Sequence, residues 1–171
     1  MKHVLLTGAS GLIGSAVLPL LLNDHIVTVL VHRPEAFTFR HKNLHIIPFD
    51  LSAPWNAALL PERMDAVIHL AQSAHFRDFP EKAASVFQTN TASTVQLLDY
   101  AQKAGVKHVV LASSGGIYGT GDQQFRESDQ VVSRGDLGFY LGTKLCSEVL
   151  AESYAPFYNV LILRFFFVYG K

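Results

Sequence analysis

The amino-acid sequence predicts a doubly wound α/β domain, with a mainly parallel sheet of about six strands and helices on both faces. Short β-branched runs alternate with longer segments of helical periodicity, as in successive βαβ units. Several of the runs are apolar on both faces, as strands covered by helices on each side must be. With 171 residues, 49% of them hydrophobic, the chain can bury one substantial core, so we expect a single domain over residues 1–171.

Six strands are predicted, over residues 3–7, 26–31, 44–49, 66–70, 108–112 and 160–165. Three helices are predicted, over residues 12–23, 81–103 and 137–158, with a shorter one near 55–60. Gly105 follows the second long helix, where a left-handed C-terminal cap is expected. Pro19 lies within the first helix, where it removes one backbone hydrogen bond and should bend the helix.

Composition argues against several classes of partner. Lys plus Arg equals Asp plus Glu at 14 each, so no net field attracts nucleic acid or another polyanion. The longest apolar stretch, residues 160–168, is interrupted by Arg164 and is far shorter than the ~20 residues of a membrane helix. The single cysteine, Cys146, cannot form an internal disulfide, and the N-terminus lacks a cleavable-signal layout, which predicts the cytoplasm.

A glycine-rich turn follows the first strand, and residues 7–14 read Thr-Gly-Ala-Ser-Gly-Leu-Ile-Gly. Gly8 permits the tight turn, Gly11 lets backbone approach a phosphate, and Gly14 lets the helix pack close to the strand. The helix N-terminus directs free N–H groups and its positive dipole end at a pyrophosphate. Such turns also occur for purely structural reasons, but the position directly after an apolar strand favours a Rossmann-type dinucleotide site. The remaining predicted contacts from this turn are Ser10, Leu12 and Ile13.

The end of the second strand bears on which dinucleotide is bound. A carboxylate there would bind the adenosine ribose of NAD, but residues 30–34 read Leu-Val-His-Arg-Pro. Arg33, with His32 beside it, could bind a 2′-phosphate, which favours NADP. An ordinary solvated basic turn is the alternative, and Glu35 could still reach the ribose of NAD.

Asp50 ends the third strand, just before Leu51, and could hydrogen-bond the adenine amino group. A turn or helix N-cap aspartate is the alternative. The eight histidines invite a metal hypothesis, but His41 and His45 straddle a predicted loop-to-strand junction rather than one helical face. We therefore predict no metal site.

Tyr140 and Lys144 lie four residues apart in a predicted helix, on one face. A phenol with an ordinary pKa of about 10 is a poor base at neutral pH, and a nearby ammonium can lower that pKa. Ser113 and Ser114 end the fifth strand, at the carboxyl edge of the sheet where ligands of such folds bind. A hydroxyl there could polarise the same substrate carbonyl.

Taken together, these residues resemble the N-terminal part of the extended short-chain dehydrogenase/reductase family, the NAD(P)-dependent epimerase/dehydratase group. The resemblance covers nearly the whole chain. It rests on ordered motifs at residues 7–14, 50–51, 67–71, 90, 113–119, 140–144 and 164–170.

The resemblance implies hydride transfer at nicotinamide C4, with Tyr140 as proton donor or acceptor. Lys144 would bind the nicotinamide ribose hydroxyls and acidify Tyr140. Ser114, four residues before Tyr118, matches the catalytic serine or threonine, and its neighbour Ser113 would be structural.

The resemblance also implies cofactor contacts from Leu70 and Ala71. Asn90 would hold polar structure near the nicotinamide, with a helix-to-strand hydrogen bond as the alternative. The long helices 81–103 and 137–158 would pack against a second copy, forming a homodimer.

Family members usually continue for about as many residues again, so the C-terminal substrate domain would be largely absent here. We expect a part of a longer oxidoreductase, epimerase or dehydratase acting on a small molecule, whose isolated turnover would be poor. The alternative is a dinucleotide-binding structural or sensing protein without turnover. Retention of Ser114, Tyr140 and Lys144 together favours the enzyme.

Two single-residue departures from the family pattern matter, together with one apolar run. Phe167 replaces an amide that often contacts substrate, which argues against a sugar nucleotide. Gln72 stands where a small residue is usual, and would narrow the cofactor site or contact substrate. The run Phe165, Phe166 and Phe167 would become an exposed apolar patch without a substrate domain.

Overall fold

The computed structural model of the protein describes residues 1–119, 121 and 123–170. Its sheet has the order β3-β2-β1-β4-β5-β6, and each neighbouring pair of strands is parallel. The strands are β1 Lys2–Thr7, β2 His25–Val31, β3 Leu44–Pro48, β4 Ala66–His69, β5 His108–Ser114 and β6 Asn159–Phe165. The strand order changes direction between β1 and β4, so a crevice opens there at the carboxyl ends of the strands.

Helices cover both faces of this sheet. They are α1 Leu12–Asp24, α2 Ala83–Phe87, α3 Ser93–Lys103 and α4 Gly138–Glu152. Leu5 and Leu6, consecutive in β1, are both fully buried, and because strand side chains alternate they belong to opposite faces. Leu5 packs in a cluster with α3, and Leu6 packs in a cluster with α1. The predicted doubly wound Rossmann-type fold is therefore confirmed.

Two predicted helices differ from the structure. A π-helical turn, Gln88–Ala92, separates α2 from α3, so the segment predicted as one helix over 81–103 is interrupted. The helix predicted over 137–158 ends at Glu152, because Pro156 disfavours helical backbone in the residue before it. Only a 3₁₀ turn, Ala57–Leu59, forms within residues 55–60.

The predicted cap after α3 is present. Gly105 has a φ of +72°, and the Val106 N–H donates to the Ala101 carbonyl at 3.0 Å, which satisfies a carbonyl at the helix end. Helix α1 continues through Pro19 and leads directly into β2. Within the described residues, every helix is too short or too polar to cross a bilayer.

Candidate functional site

Most of the predicted catalytic and turn residues meet at one cavity of about 300 Å³ at the carboxyl edge of the sheet. Its lining comes from the glycine turn, the segment after β4, the end of β5, helix α4 and the residues around the end of β6. These are Gly8, Gly11, Leu12, Ile13, Gly14, Leu70, Gln72, Ala112, Ser113, Ser114, Tyr140, Lys144, Phe165, Phe166 and Val168. Larger cavities of about 500 and 580 Å³ also occur in the described chain, but none of the predicted site residues lines them.

The glycine turn is packed too tightly for side chains at two positions. Gly8 has a φ of +75°, and a Cβ there would lie 2.7 Å from the Ala71 nitrogen. A Cβ on Gly14 would lie 2.1 Å from the Gly8 carbonyl oxygen. The expected roles of Gly8 in the turn and of Gly14 in close helix packing are confirmed.

Helix α1 begins at this turn without a side-chain cap. Gly11 is the N-cap residue, its N–H donates to the Gly8 carbonyl at 3.0 Å, and the first helical turn holds no acidic residue. The first N–H groups of a helix have no acceptor within the helix, and Leu12 and Ile13 line the cavity. This arrangement fits an anionic group such as a pyrophosphate. Ser10 is exposed beside the turn and is not among the lining residues.

A buried histidine fixes the ends of β1 and β4 beside the turn. The ring of His69 lies between two hydroxyls, with Nδ1 2.6 Å from Thr7 Oγ1 and Nε2 3.0 Å from Thr94 Oγ1. Thr94 donates its own proton to the Asn90 carbonyl, so His69 Nε2 must donate to Thr94 and Nδ1 must accept from Thr7. The Ala71 N–H donates to Thr7 Oγ1 at 3.2 Å. Burial lowers the pKa of His69 to about 3, so the ring is neutral.

Asn90 links the segment after β4 to helix α4. Its Oδ1 accepts from the Ser73 N–H at 2.8 Å, and its Nδ2 donates to Thr143 Oγ1 at 3.0 Å. The expected alternative, a helix-to-strand bond, is therefore replaced by bonds to a loop and to a second helix. Both side-chain groups of Asn90 are used within the protein and the residue does not line the cavity, so its cofactor contact stays a prediction.

Tyr140 and Lys144 are both buried and both line the cavity. The Tyr140 hydroxyl donates to Gln72 Oε1 at 2.8 Å. Lys144 Nζ donates to the Ala112 carbonyl at 3.0 Å and lies 5.9 Å from the centroid of the Tyr140 ring. Burial lowers the pKa of Lys144 to about 8, although the charge of Glu148 acts in the opposite direction.

The pKa of Tyr140 differs from the expectation. Lys144 was expected to lower it, but burial raises it, with only partial opposition from a hydrogen bond to Ser114. The physical reason is that the desolvated phenol disfavours its charged form, while the ammonium lies over the ring and is bonded to Ala112. In this state the Tyr140 phenol is protonated at neutral pH.

The two serines at the end of β5 have different environments. Ser114 Oγ accepts from the Gly116 N–H at 3.2 Å and caps a short 3₁₀ turn. Ser113 Oγ is buried and finds no hydrogen-bond partner within the described part of the chain. A structural role was expected for Ser113, but its hydroxyl makes no structural bond there. A buried hydroxyl that lines a cavity without a partner fits a bound polar group.

The residues predicted to surround the adenosine lie at the ends of β2 and β3, outside this cavity. His32 and Arg33 are exposed, and His32 Nε2 is 3.8 Å from Asp50 Oδ2. Asp50 accepts from the Ser52 N–H at 2.8 Å and from Ser52 Oγ at 2.7 Å, and the side-chain bond is the main cause that lowers the pKa of Asp50. Asp50 is thus a turn aspartate, as one alternative expected. Leu51 packs against the core.

Sequence reasoning left six lining residues out of the predicted site, namely Gln72, Ala112, Ser113, Phe165, Phe166 and Val168. Gln72 was noted as unusual but not placed against Tyr140. Phe166 and Val168 also reach the cavity, and Phe166 packs so closely on Gly115 that a Cβ there would lie 2.5 Å from the ring. Paired glycines before Tyr118 are the only sequence signal of this packing. The expected apolar patch is partly confirmed, since Phe166 is 56% and Phe167 97% exposed, whereas Phe165 is half-buried.

Comparisons with known proteins agree with this geometry. A probable UDP-glucuronate 4-epimerase of Rhizobium meliloti is 31% identical over 184 residues, covering 97% of this chain and 53% of that protein. The structure of UDP-N-acetylglucosamine 4-epimerase from Methanobrevibacter ruminantium, in complex with UDP-N-acetylmuramic acid, matches with a TM-score of 0.85 and 26% identity over 99% of this chain and 56% of that one. MoeE5 in complex with UDP-glucuronic acid and NAD matches with a TM-score of 0.84 and 34% identity, over 98% of this chain and 56% of that one.

The chain spans about half the length of the curated relatives that it matches. The profile of the NAD dependent epimerase/dehydratase family matches residues 4–171. The resemblance to extended short-chain dehydrogenases/reductases is therefore confirmed over nearly the whole chain. The chain belongs to the NAD-dependent epimerase/dehydratase family.

Proposed function

We propose that this chain is the cofactor-binding and proton-transfer part of an enzyme that acts on a nucleotide sugar. The observation that carries this proposal is the single cavity that joins the glycine turn to Ser114, Tyr140 and Lys144. The relatives named above act on or bind UDP sugars, which supports that substrate class despite the departure at Phe167.

The residues present fit a nicotinamide dinucleotide. The glycine turn and the uncapped start of α1 would hold its pyrophosphate, with Ser10 at the exposed rim. Leu70 and Ala71 follow β4, and Leu70 lines the cavity, so this segment would contact the cofactor through backbone and small side chains. When bound, the dinucleotide supplies hydride transfer at the nicotinamide ring.

We infer that the cofactor is NAD, which is the cofactor named in the MoeE5 complex. The expectation of NADP, which was based on Arg33 and His32 at the exposed end of β2, stays a prediction that titration with NADPH tests. Asp50 lies beside His32, where either cofactor would place its adenosine.

The proposed chemistry uses three side chains at the cavity. Tyr140 Oη gives a proton to, or takes one from, a substrate oxygen. Ser114 lines the same cavity and its hydroxyl acts on the pKa of Tyr140, so it would polarise the same oxygen. Lys144, held by the Ala112 carbonyl, would bind ribose hydroxyls and keep positive charge beside the phenol.

The test is direct titration of the chain with NAD, followed by turnover assays with UDP sugars. We expect Tyr140→Phe to bind NAD within about twofold of the parent chain, because its ring still packs in place, and to lose at least about 100-fold in turnover. Tyr100→Phe, which removes the hydroxyl of a buried tyrosine on α3 that does not line the cavity, is the matched control. Turnover that survives unchanged in Tyr140→Phe would contradict the role of Tyr140, and tight NAD binding without turnover would support a binding or sensing protein instead.

We also propose that the chain forms a homodimer through α2, α3 and α4. Large apolar side chains are exposed on two of these helices, with Phe87 on α2 48% exposed and Val149 on α4 58% exposed. Exposed apolar residues on neighbouring helices favour burial against a second copy.

A further inference from the structure

Gln72 faces the proposed proton donor across the cavity. Its Oε1 accepts the hydrogen bond from Tyr140 Oη at 2.8 Å, and both residues line the same space. A phenol has one proton to donate, so while this contact is made the proton is directed at the amide oxygen. A ligand oxygen entering the cavity would compete with Gln72 for the same proton.

The backbone on both sides of Gln72 is fixed. The Ala71 N–H donates to Thr7 Oγ1 at 3.2 Å, and the Ser73 N–H donates to Asn90 Oδ1 at 2.8 Å. Asn90 in turn bonds a residue of α4, the helix that carries Tyr140. The backbone that carries Gln72 is therefore fixed by a connected network, and its exposed side chain reaches Tyr140 from that fixed position.

Ser114 and Gln72 act on the phenol in opposite directions. The Ser114 hydroxyl lowers the pKa of Tyr140, whereas the phenol donates its proton to Gln72 Oε1. An amide oxygen carries partial negative charge, so it stabilises a phenol that donates to it and repels a phenolate.

We propose that Gln72 is a positioning residue that keeps the Tyr140 phenol protonated and aimed into the cavity, ready to donate its proton to a substrate oxygen. The inference rests on the proposed function, because Tyr140 is the proton donor only there. Gln72 would thereby favour proton donation by Tyr140 over proton acceptance.

Charged groups from the surrounding elements bear on the same balance. Lys144 of α4 lies 5.9 Å from the Tyr140 ring, and Arg77 stacks at 5.0 Å on Phe76, whose ring packs 5.3 Å from that of Tyr140. A positive charge close to the phenol favours the phenolate, and Lys144 is the cation whose contact with the Tyr140 ring is seen. His69 of β4 is neutral, so it contributes no charge. Burial favours the protonated form of Tyr140, and the amide oxygen of Gln72 acts in the same direction.

The experiment is an NMR titration of the chain carrying carbon-labelled tyrosine, with Tyr140→Phe used to assign the Tyr140 signal. In Gln72→Ala we expect the midpoint of the Tyr140 titration to move to lower pH. The phenolate fraction at a fixed alkaline pH should rise by about tenfold, which corresponds to the free energy of one ordinary hydrogen bond. In Gln72→Glu we expect the midpoint to move to higher pH, because a carboxylate repels the phenolate. Gln102→Ala, at an exposed glutamine of α3, should leave the midpoint in place.

A midpoint that does not move in Gln72→Ala would overturn the inference. A midpoint that rises would overturn it as well, since the amide nitrogen would then be the group facing the phenol oxygen. Titrating the same variants with NAD separates the two proposals. If NAD binds normally and the Tyr140 midpoint is unchanged in Gln72→Ala, only the role of Gln72 is rejected. If the parent chain fails to bind NAD, the proposed function is rejected.

Discussion

At the scale of single residues, the protonation state of His69 matters for stability. The ring is fully enclosed by hydroxyls of β1 and α3, and each nitrogen has one partner in the neutral form. A second ring proton would face Thr7, whose hydroxyl would have to turn its own proton away. Adding that proton therefore costs both a hydrogen bond and the burial of a charge.

We expect acid to destabilise the chain through this residue. The pKa of His69 is lowered by burial from 6.5 to about 3, so the unfolded state binds a proton first as the pH falls. The contribution to stability is present above the unfolded pKa of 6.5 and is lost as the pH falls towards about 3. The free energy of unfolding, measured in urea across this pH range, should depend less steeply on pH in His69→Gln than in the parent chain.

His108→Gln, which changes an exposed histidine at the start of β5, is the control for that measurement. Its pH dependence should follow the parent chain. Equal slopes for the parent and His69→Gln would contradict a buried neutral ring.

Arg33 gives a second prediction at this scale. We expect Arg33→Ala to weaken NADPH binding by about tenfold or more and to leave NADH binding within about twofold, because the guanidinium would meet only the 2′-phosphate. Calorimetric titration of both cofactors measures the two affinities. Arg63→Ala, at another exposed arginine outside the β2 end, is the control, and equal weakening of both cofactors by Arg33→Ala would contradict the assignment.

At the scale of elements, helix α4 is held in register by a buried ion pair. Glu148 is 2% exposed, and its carboxylate accepts from Arg164 Nη2 at 2.8 Å and from Nε at 3.2 Å. Arg164 belongs to β6 and also bonds the hydroxyl of Tyr118. The pair connects α4 to the sheet one turn beyond Lys144, and thereby fixes where Tyr140 and Lys144 meet the cavity.

The junction of β1 and α1 is the most sensitive element of the site. We expect Gly14→Ala to lower the free energy of unfolding by about 3 kcal/mol, because the new Cβ would lie 2.1 Å from the Gly8 carbonyl oxygen and the backbone would have to move. Urea unfolding measures this loss, and NAD titration should show weakened binding. In Gly138→Ala the nearest atom to the new Cβ is 3.4 Å away, so that control should be nearly neutral.

The strands and the glycine turn could be predicted from the sequence, because each depends on a pattern within a few consecutive residues. All six strands form within two residues of their predicted bounds, as expected for apolar β-branched runs between turn residues. The π turn around Asn90 was missed because its bonds join it to residues 17 and 53 positions away along the chain. The contact between Gln72 and Tyr140 spans 68 positions, so only the folded sheet brings it about.

At the scale of the whole molecule, the strand order explains why the site forms where it does. Strands β1 and β4 are neighbours although two strands separate them in sequence. Their following segments leave on opposite sides, with α1 on the Leu6 face and α3 on the Leu5 face. The space between these segments is the cavity, and every proposed catalytic group is aimed at it from a strand end or a helix.

The proposed dimer gives a prediction at this scale. We expect sedimentation at micromolar concentration to show a dimer, and Val149→Glu to shift it towards monomer, because a carboxylate would be buried at the apolar interface. Leu20→Glu, at a residue of α1 that is 68% exposed, is the control for a surface charge elsewhere. A parent chain that sediments as a monomer would contradict the proposal.

The tie made by Asn90 also limits how the molecule can move. Lifting the segment after β4 away from α4 would break two hydrogen bonds and leave a buried amide without partners. Such local opening has a high free energy. The amide proton of Ser73 should therefore exchange with solvent as slowly as the amide protons of the core strands. The side of the cavity formed by the segment after β4 and helix α4 is therefore rigid.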